Sequence, residues 1–233
     1  MQIDIITAFP KIVTEPLQQS IIKRAQQNNI VTINVHDLRK WAKDRHRTID
    51  DAPYGGGAGM IFKIKPLYDC LSEISNNATG RKVKILLTSP RGEKLSQEKA
   101  TKLSNEENLI IICGHYKGVD ERIKSFFPIE EISIGDYVLS GGEIPALAIV
   151  DTVVRLLPGA ISDIDSAWTD SFSENLLDCD YYTRPESFKG ENVPEVLLSG
   201  DHSKINKWRD EKRIEITKKN RPDLYNTYIE ELK

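Results

Sequence analysis

The sequence is poor in cysteine, methionine and tryptophan, and it has no long apolar run. Its three cysteines, Cys70, Cys113 and Cys179, are far apart and odd in number. No C-x-x-C pair or Cys/His cluster occurs, which argues against a zinc site. Such scarcity fits a reducing compartment better than a disulfide-stapled secreted fold. No stretch approaches the roughly 20 apolar residues of a membrane helix. The opening Met1-Gln2-Ile3-Asp4-Ile5-Ile6 lacks the basic segment and apolar core of a signal peptide. A soluble, cytoplasmic protein with no membrane partner is expected. A Gly-Lys-Ser/Thr phosphate loop, a G-x-G-x-x-G turn after the first strand and a G-x-S-x-G nucleophile elbow are also missing, which disfavours the usual nucleotide and serine chemistries.

Neither charge sign dominates. The net charge is −3 over 233 residues, so no global field points to nucleic acid. The distribution is uneven, however. Residues 202–233 hold nine Lys/Arg against six Asp/Glu, a balance of +3, which leaves −6 on residues 1–201.

An apolar content of 39% is enough for a substantial core. Residues 2–8, 31–35, 82–87, 109–113 and 131–134 read as strands, several apolar throughout. Helical spacing marks 12–28, 65–74, 96–103, 120–126 and 144–157. Strands alternating with helices predict an α/β fold: a mostly parallel sheet with helices on both faces. Ligands in such sheets bind beyond the carboxyl ends of strands. Here those ends are Thr88–Gly92, Gly114–Gly118 and Gly135–Gly142. Residues 160–178 are polar and read as a linker or lid. Residues 203–217 and 222–232 read as helices of a small C-terminal domain.

Two glycine clusters stand out, Tyr54–Met60 and Ile132–Pro145. Glycine lets backbone approach a ligand closely, and loop amides can hold a polar group. Two clusters of cations lie beside aromatics. The first holds Arg39, Lys40, Lys43, Arg45 and Arg47 with Trp41 and His46. The second runs from Lys204 and Lys207 to Arg221 and includes Arg209 and Trp208. RNA backbone contact and a merely solvated face weigh equally for these clusters. Arg155, on an apolar helix, is either paired, with Asp151 the default partner, or functional. Asp170 in the linker reads by default as a cap or solvated loop residue. His36, His46, His115 and His202 read as surface residues.

The residues themselves carry a resemblance. Asp44–Asp51, Pro53–Met60, Cys113–Arg122, Ser133–Pro145, Asp170-Ser171-Phe172, Leu176–Cys179, Tyr182–Glu186 and Val196–Gly200 occur in the order found in the bacterial tRNA (guanine-N1-)-methyltransferase family of the SPOUT class, which the chain resembles over nearly its whole length. The resemblance implies a deep trefoil knot and division into a donor-binding domain (1–160), a flexible linker or lid (161–178) and a small helical tRNA-binding domain (179–233). It implies a homodimer with active sites across the interface, S-adenosylmethionine as methyl donor, tRNA as substrate and room for Mg2+ as a helper. The target is the guanosine 3′ of the anticodon. The donor site then falls on Leu87, Thr88, Ser89, Pro90, Gly114, Tyr116, Lys117, Gly118, Ile134, Gly135, Tyr137, Leu139, Ser140, Gly141, Gly142, Pro145 and Asp178. RNA contacts fall on Arg45, His46, Arg47, Asp50, Lys204, Lys207 and Arg209. Asp170 becomes the base and Arg155 the cation facing O6. The chain departs from the family at His115, where Arg is common, at Lys117, where Glu is common, and at Thr169, where an acid is common. A non-catalytic RNA-binding module and a SPOUT enzyme acting on another RNA are the alternatives.

Overall fold

A computed structural model describes residues 1–77, 82–161, 170–172 and 174–232. Its strands are β1 (Gln2–Thr7), β2 (Thr32–Asp37), the two-residue β3 (Asp50–Asp51) and β4 (Ile61–Phe62), β5 (Val83–Lys94), β6 (Asn108–Ile112) and β7 (Ile129–Ser133). β1, β2, β5, β6 and β7 form one sheet in the order β2-β1-β6-β5-β7, and every pairing in it is parallel. Register places Ile3 between Ile33 and Leu109, and Ile5 between Val35 and Ile111.

Side chains alternate across a strand, so apolar runs must feed two cores. Ile3, Ile5, Leu109 and Ile111 face one, packed on α1 (Pro10–Thr14) and α2 (Ser20–Gln27). Ile6, Ile85, Ile110 and Ile112 face the other, with Leu67, Leu71 and Ile74 of α3 (Ile64–Asn77). The first core is completed by Leu103 of α4 (Gln97–Ser104) and by Ile149 and Val153 of α5 (Glu143–Val154). Each fully buried aliphatic side chain contributes about 1.5–3 kcal/mol. These layers hold the carboxyl ends of β6, β5 and β7 side by side.

The structure corrects the sequence reading in places. Residues 12–28 are not one helix. Pro16 has no N–H and its ring crowds the carbonyl one turn back. A 3-10 turn at Pro16–Gln18 fills the break, and Ser20, at φ 46°, restarts the chain as α2. Residues 120–126 form a 3-10 turn, Glu121–Ser125, rather than an α-helix. Strand β5 does not stop at Leu87 but runs to Lys94. Its pairing with β7 shifts between Thr88 and Glu93, so residues 89–92 bulge out as a loop within the strand.

Asp4 is 4% exposed on β1. Its carboxylate accepts hydrogen bonds from Gln2 Nε2 (2.8 Å) and Asn34 Nδ2 (3.0 Å) and meets His36 Nε2 at 2.7 Å. His36 is therefore not the surface residue expected. Burial pushes the Asp4 pKa up, but the bonds from His36, Gln2 and Asn34 more than offset this and hold it below the usual carboxylate range. A depressed folded-state pKa stabilises the fold above the unfolded value near pH 4, and that stability is lost as pH falls through the lower folded value. Asp4→Ala is expected to cost about 1–3 kcal/mol at pH 7 by stranding its partners. Urea unfolding should show the gap to wild type closing below about pH 4; a constant gap would contradict this.

The chain divides into two units, Met1–Ser162 and Asp163–Lys233. In the second, the described helices are α6 (Glu195–Leu198), α7 (His202–Asn220) and α8 (Pro222–Glu231). Asp201 caps α7 by accepting from Lys204 N, and Pro222 starts α8, where a missing N–H costs nothing. Thr217 on α7 is fully buried and accepts from Leu177 N at 2.8 Å, which docks the Leu176–Cys179 segment on the helix. A hairpin the sequence reading did not foresee joins β8 (Ser187–Phe188) to β9 (Glu191–Asn192) through Lys189-Gly190, both at positive φ, as a two-residue turn demands. Of the linker expected over 161–178, residues 162–169 and 173, Thr169 among them, lie outside the described residues.

Candidate functional site

Three loops leave the sheet where β5, β6 and β7 stand adjacent, and they enclose a cavity of about 490 Å³. That is the size of a small-molecule site. Its floor is the point where β5 bulges: Thr88 Oγ1 donates to the Ile112 carbonyl (3.2 Å) and accepts from Gly114 N (3.0 Å). Gly142 N then donates to the Gly114 carbonyl at 2.6 Å, and His115 bridges Gly141. The loops are so close that side chains cannot fit. A Cβ on Gly114 would lie 2.6 Å from the Thr88 carbonyl oxygen. One on Gly142 would lie 1.9 Å from Thr88 Oγ1. Tyr116 stands at φ 58°, a strained value for a residue with a side chain. Its ring is held edge-on between Phe62 and His115. Burial and the Asp50 carboxylate push its phenol above the ordinary value.

Every expected donor-site residue of the first unit lines this cavity: Leu87, Thr88, Ser89, Pro90, Gly114, Tyr116, Lys117, Gly118, Ile134, Gly135, Tyr137, Leu139, Ser140, Gly141, Gly142 and Pro145. Asp178 belongs to the second unit, where it accepts from Cys179 N (2.7 Å) and Tyr181 Oη (2.9 Å). Of the Tyr54–Met60 glycine run, Gly59 and Met60 alone reach the cavity. Gly59 makes room for the Lys117 stem, since a Cβ there would sit 2.8 Å from Lys117 Cγ. The site set inferred from sequence omitted His115, which lines the cavity and is not the surface residue expected. It also omitted Arg91, which holds the mouth of the β5 loop to Glu131 at 2.8 Å. Only position beyond a strand end could have signalled them.

Arg155 directly follows α5, half-buried, and its N–H donates to the Asp151 carbonyl at 3.2 Å. Asp170, half-buried, opens the second unit's described residues. Arg45, His46 and Arg47 are exposed on a loop folded by Asp44, whose carboxylate accepts from His46 N, Thr48 N and Thr48 Oγ1. Lys204 pairs with Asp201 at 3.1 Å and Lys207 with Glu211 at 4.0 Å, while Arg209 is exposed nearby. Exposed pairs of this kind are weak and exchange readily for another anion. Among the described residues, no group of three His, Cys, Asp or Glu side chains is placed to hold a metal, and no helix is long and apolar enough to cross a membrane.

The model of the tRNA (Guanine-1)-methyltransferase TrmD family matches residues 1–227. The chain belongs to that family. It is 45% identical over 229 residues to the tRNA (guanine-N(1)-)-methyltransferase of Lachnospira eligens, covering 98% of this chain and 97% of the relative. It is 48% identical to the enzyme of that name in Bacillus pumilus, over 96% of this chain and 91% of the relative. For the Anoxybacillus flavithermus enzyme the identity is 46%, over 98% and 93%. In this member of the TrmD family the Gly114–Gly118 and Gly135–Gly142 loops line one cavity.

Proposed function

We propose that this protein is a tRNA methyltransferase that moves a methyl group from S-adenosylmethionine to N1 of the guanosine 3′ of the anticodon, tRNA position 37. One observation carries the proposal. The loops that match the family motif close a single cavity of small-molecule size in a chain that belongs to the TrmD family throughout. The residues present suit the donor. Glycine backbones admit a folded ligand, Leu87, Ile132, Leu139 and Pro145 supply apolar wall for an adenine, and loop amides and Ser140 offer polar contacts. When bound, the donor supplies a methyl group on a sulfonium, ready for transfer to a nucleophile.

The chain must create that nucleophile. Guanine N1 carries a proton at neutral pH, and as it leaves, negative charge spreads to O6. Asp170 takes the proton and Arg155 faces the charge on O6. Arg45, His46, Arg47, Asp50, Lys204, Lys207 and Arg209 hold the RNA, the cations acting mainly on phosphates. Asp178 borders the donor when the site is assembled. We further propose a homodimer with each site completed across the interface. The exposed Tyr137, Val138, Leu139 and Ile144 beside the cavity support this, because apolar side chains clustered on a surface mark an interface. A deep trefoil knot is inferred from membership of the TrmD family. Among the described residues no group of three His, Cys, Asp or Glu side chains is placed to seat Mg2+.

Transcript tRNA with G at positions 36 and 37 should gain one N1-methylguanosine, mapped to position 37 by mass spectrometry. Methylation at another site or on a ribose would refute the proposal.

A further inference from the structure

Glu143, the first residue of α5, is 3% exposed. Its Oε1 accepts from Thr7 Oγ1 at 2.7 Å. Thr7 Oγ1 in turn accepts from Phe9 N at 2.8 Å, so the threonine proton is committed to the glutamate. Oε2 takes no hydrogen bond among the described residues. It faces His115 Nδ1 at 3.9 Å, and Nδ1 is itself buried without a partner. A buried ring nitrogen without a partner is costly, and a neighbouring carboxylate oxygen with lone pairs to spare can satisfy it.

Gly141 lies between them. A Cβ there would sit 2.3 Å from Glu143 Oε2 and 2.4 Å from His115 Nδ1. The gap is therefore open for the two atoms to close by about 1 Å, to ordinary hydrogen-bond length. His115 belongs to the Gly114–Gly118 loop and lines the cavity, where its ring packs on Phe9 and Tyr116. Glu143 anchors the end of the Gly135–Gly142 loop to β1. A bond between them would draw the two loops together over the cavity.

We infer that Glu143 and His115 are positioning residues: occupation of the cavity closes Nδ1–H onto Oε2 across Gly141, which locks both glycine loops around the donor. The inference rests on the proposed donor-binding function. Neither residue touches the reacting atoms. Both therefore act on affinity and leave the chemical step alone.

Titration calorimetry with S-adenosylhomocysteine as probe tests this on the full-length protein. Glu143→Gln and His115→Phe should each raise Kd about tenfold, the loss of one charge-assisted bond. The double variant should be no weaker than either single, because the two share one interaction. KM for the donor should rise in step while kcat stays within about twofold. Gly141→Ala, which keeps both side chains but forces them apart, should raise Kd comparably. Additive single effects, or variants that lower Tm while keeping wild-type Kd, would overturn the inference. If wild type fails to bind the probe, the donor-binding reading fails instead.

Discussion

Replacing Asp170 with Asn should lower single-turnover methyl transfer by about a hundred- to ten-thousand-fold, the usual loss when a general base is removed. Donor affinity should stay within about twofold of wild type, since the cavity is built from first-unit loops and Asp170 lies in the second unit. The size of the loss follows from the nucleophile. A protonated N1 has its lone pair delocalised into the ring and cannot attack. Asn keeps the shape of the side chain and removes its capacity to accept the proton. A second consequence separates this role from a structural one. As pH rises toward the intrinsic pKa of guanine N1, solvent takes over deprotonation, so the gap between variant and wild type should narrow. Arg155→Met should also slow transfer, by about a hundredfold, through loss of charge stabilisation at O6, and high pH should not rescue it. Wild-type turnover by Asp170→Asn would remove the assigned base. An equal loss at every pH would turn Asp170 into a residue that merely holds structure.

Much of the sheet was legible because a fully buried parallel strand has few ways to look. Leu109–Ile112 can face apolar helices on both sides and little else. Helix ends were harder, and Pro16 shows why. Apolar spacing continues through it, and the break comes from a missing N–H rather than from any loss of pattern. In sequence the loop within β5 looks like the end of a strand, since Ser89-Pro90-Arg91-Gly92 has the composition of a turn. Pairing with β7 resumes afterwards, which is a long-range fact that local sequence does not carry. The Lys189-Gly190 hairpin was missed because two-residue strands have no period to detect. At the site, motif residues could be named but not their mutual support. Glu143 reads as a helix-start acid, and only the fold brings Thr7 and His115 to it from 136 and 28 residues away.

The glycine loops give the other large effect. Gly142→Ala is expected to abolish measurable donor binding and to destabilise the first unit. The new Cβ would lie 1.9 Å from Thr88 Oγ1, 2.6 Å from Gly114 N and 2.9 Å from Cys113 Cα. None of these can yield easily. Thr88 Oγ1 is tied to the Ile112 carbonyl and to Gly114 N, and turning it away breaks both bonds. Cys113 is fully buried at the end of β6, whose strand sits between β1 and β5. The Gly135–Gly142 loop must therefore lift, which breaks the 2.6 Å bond from Gly142 N to the Gly114 carbonyl and opens the cavity. Overpacking of this kind costs typically about 1–3 kcal/mol, lowering Tm by several degrees in a chain of this size. Gly118 offers the contrast. Nothing lies within 4 Å of a Cβ there, so Ala would meet only backbone strain at φ 125°. Adding Thr88→Ala to Gly142→Ala should restore part of the stability but not donor affinity, because the clash with Gly114 N remains. Wild-type affinity for S-adenosylhomocysteine in Gly142→Ala would mean that the loops do not meet as they do in this structure, and the case for a donor cradle at this sheet edge would fall with it.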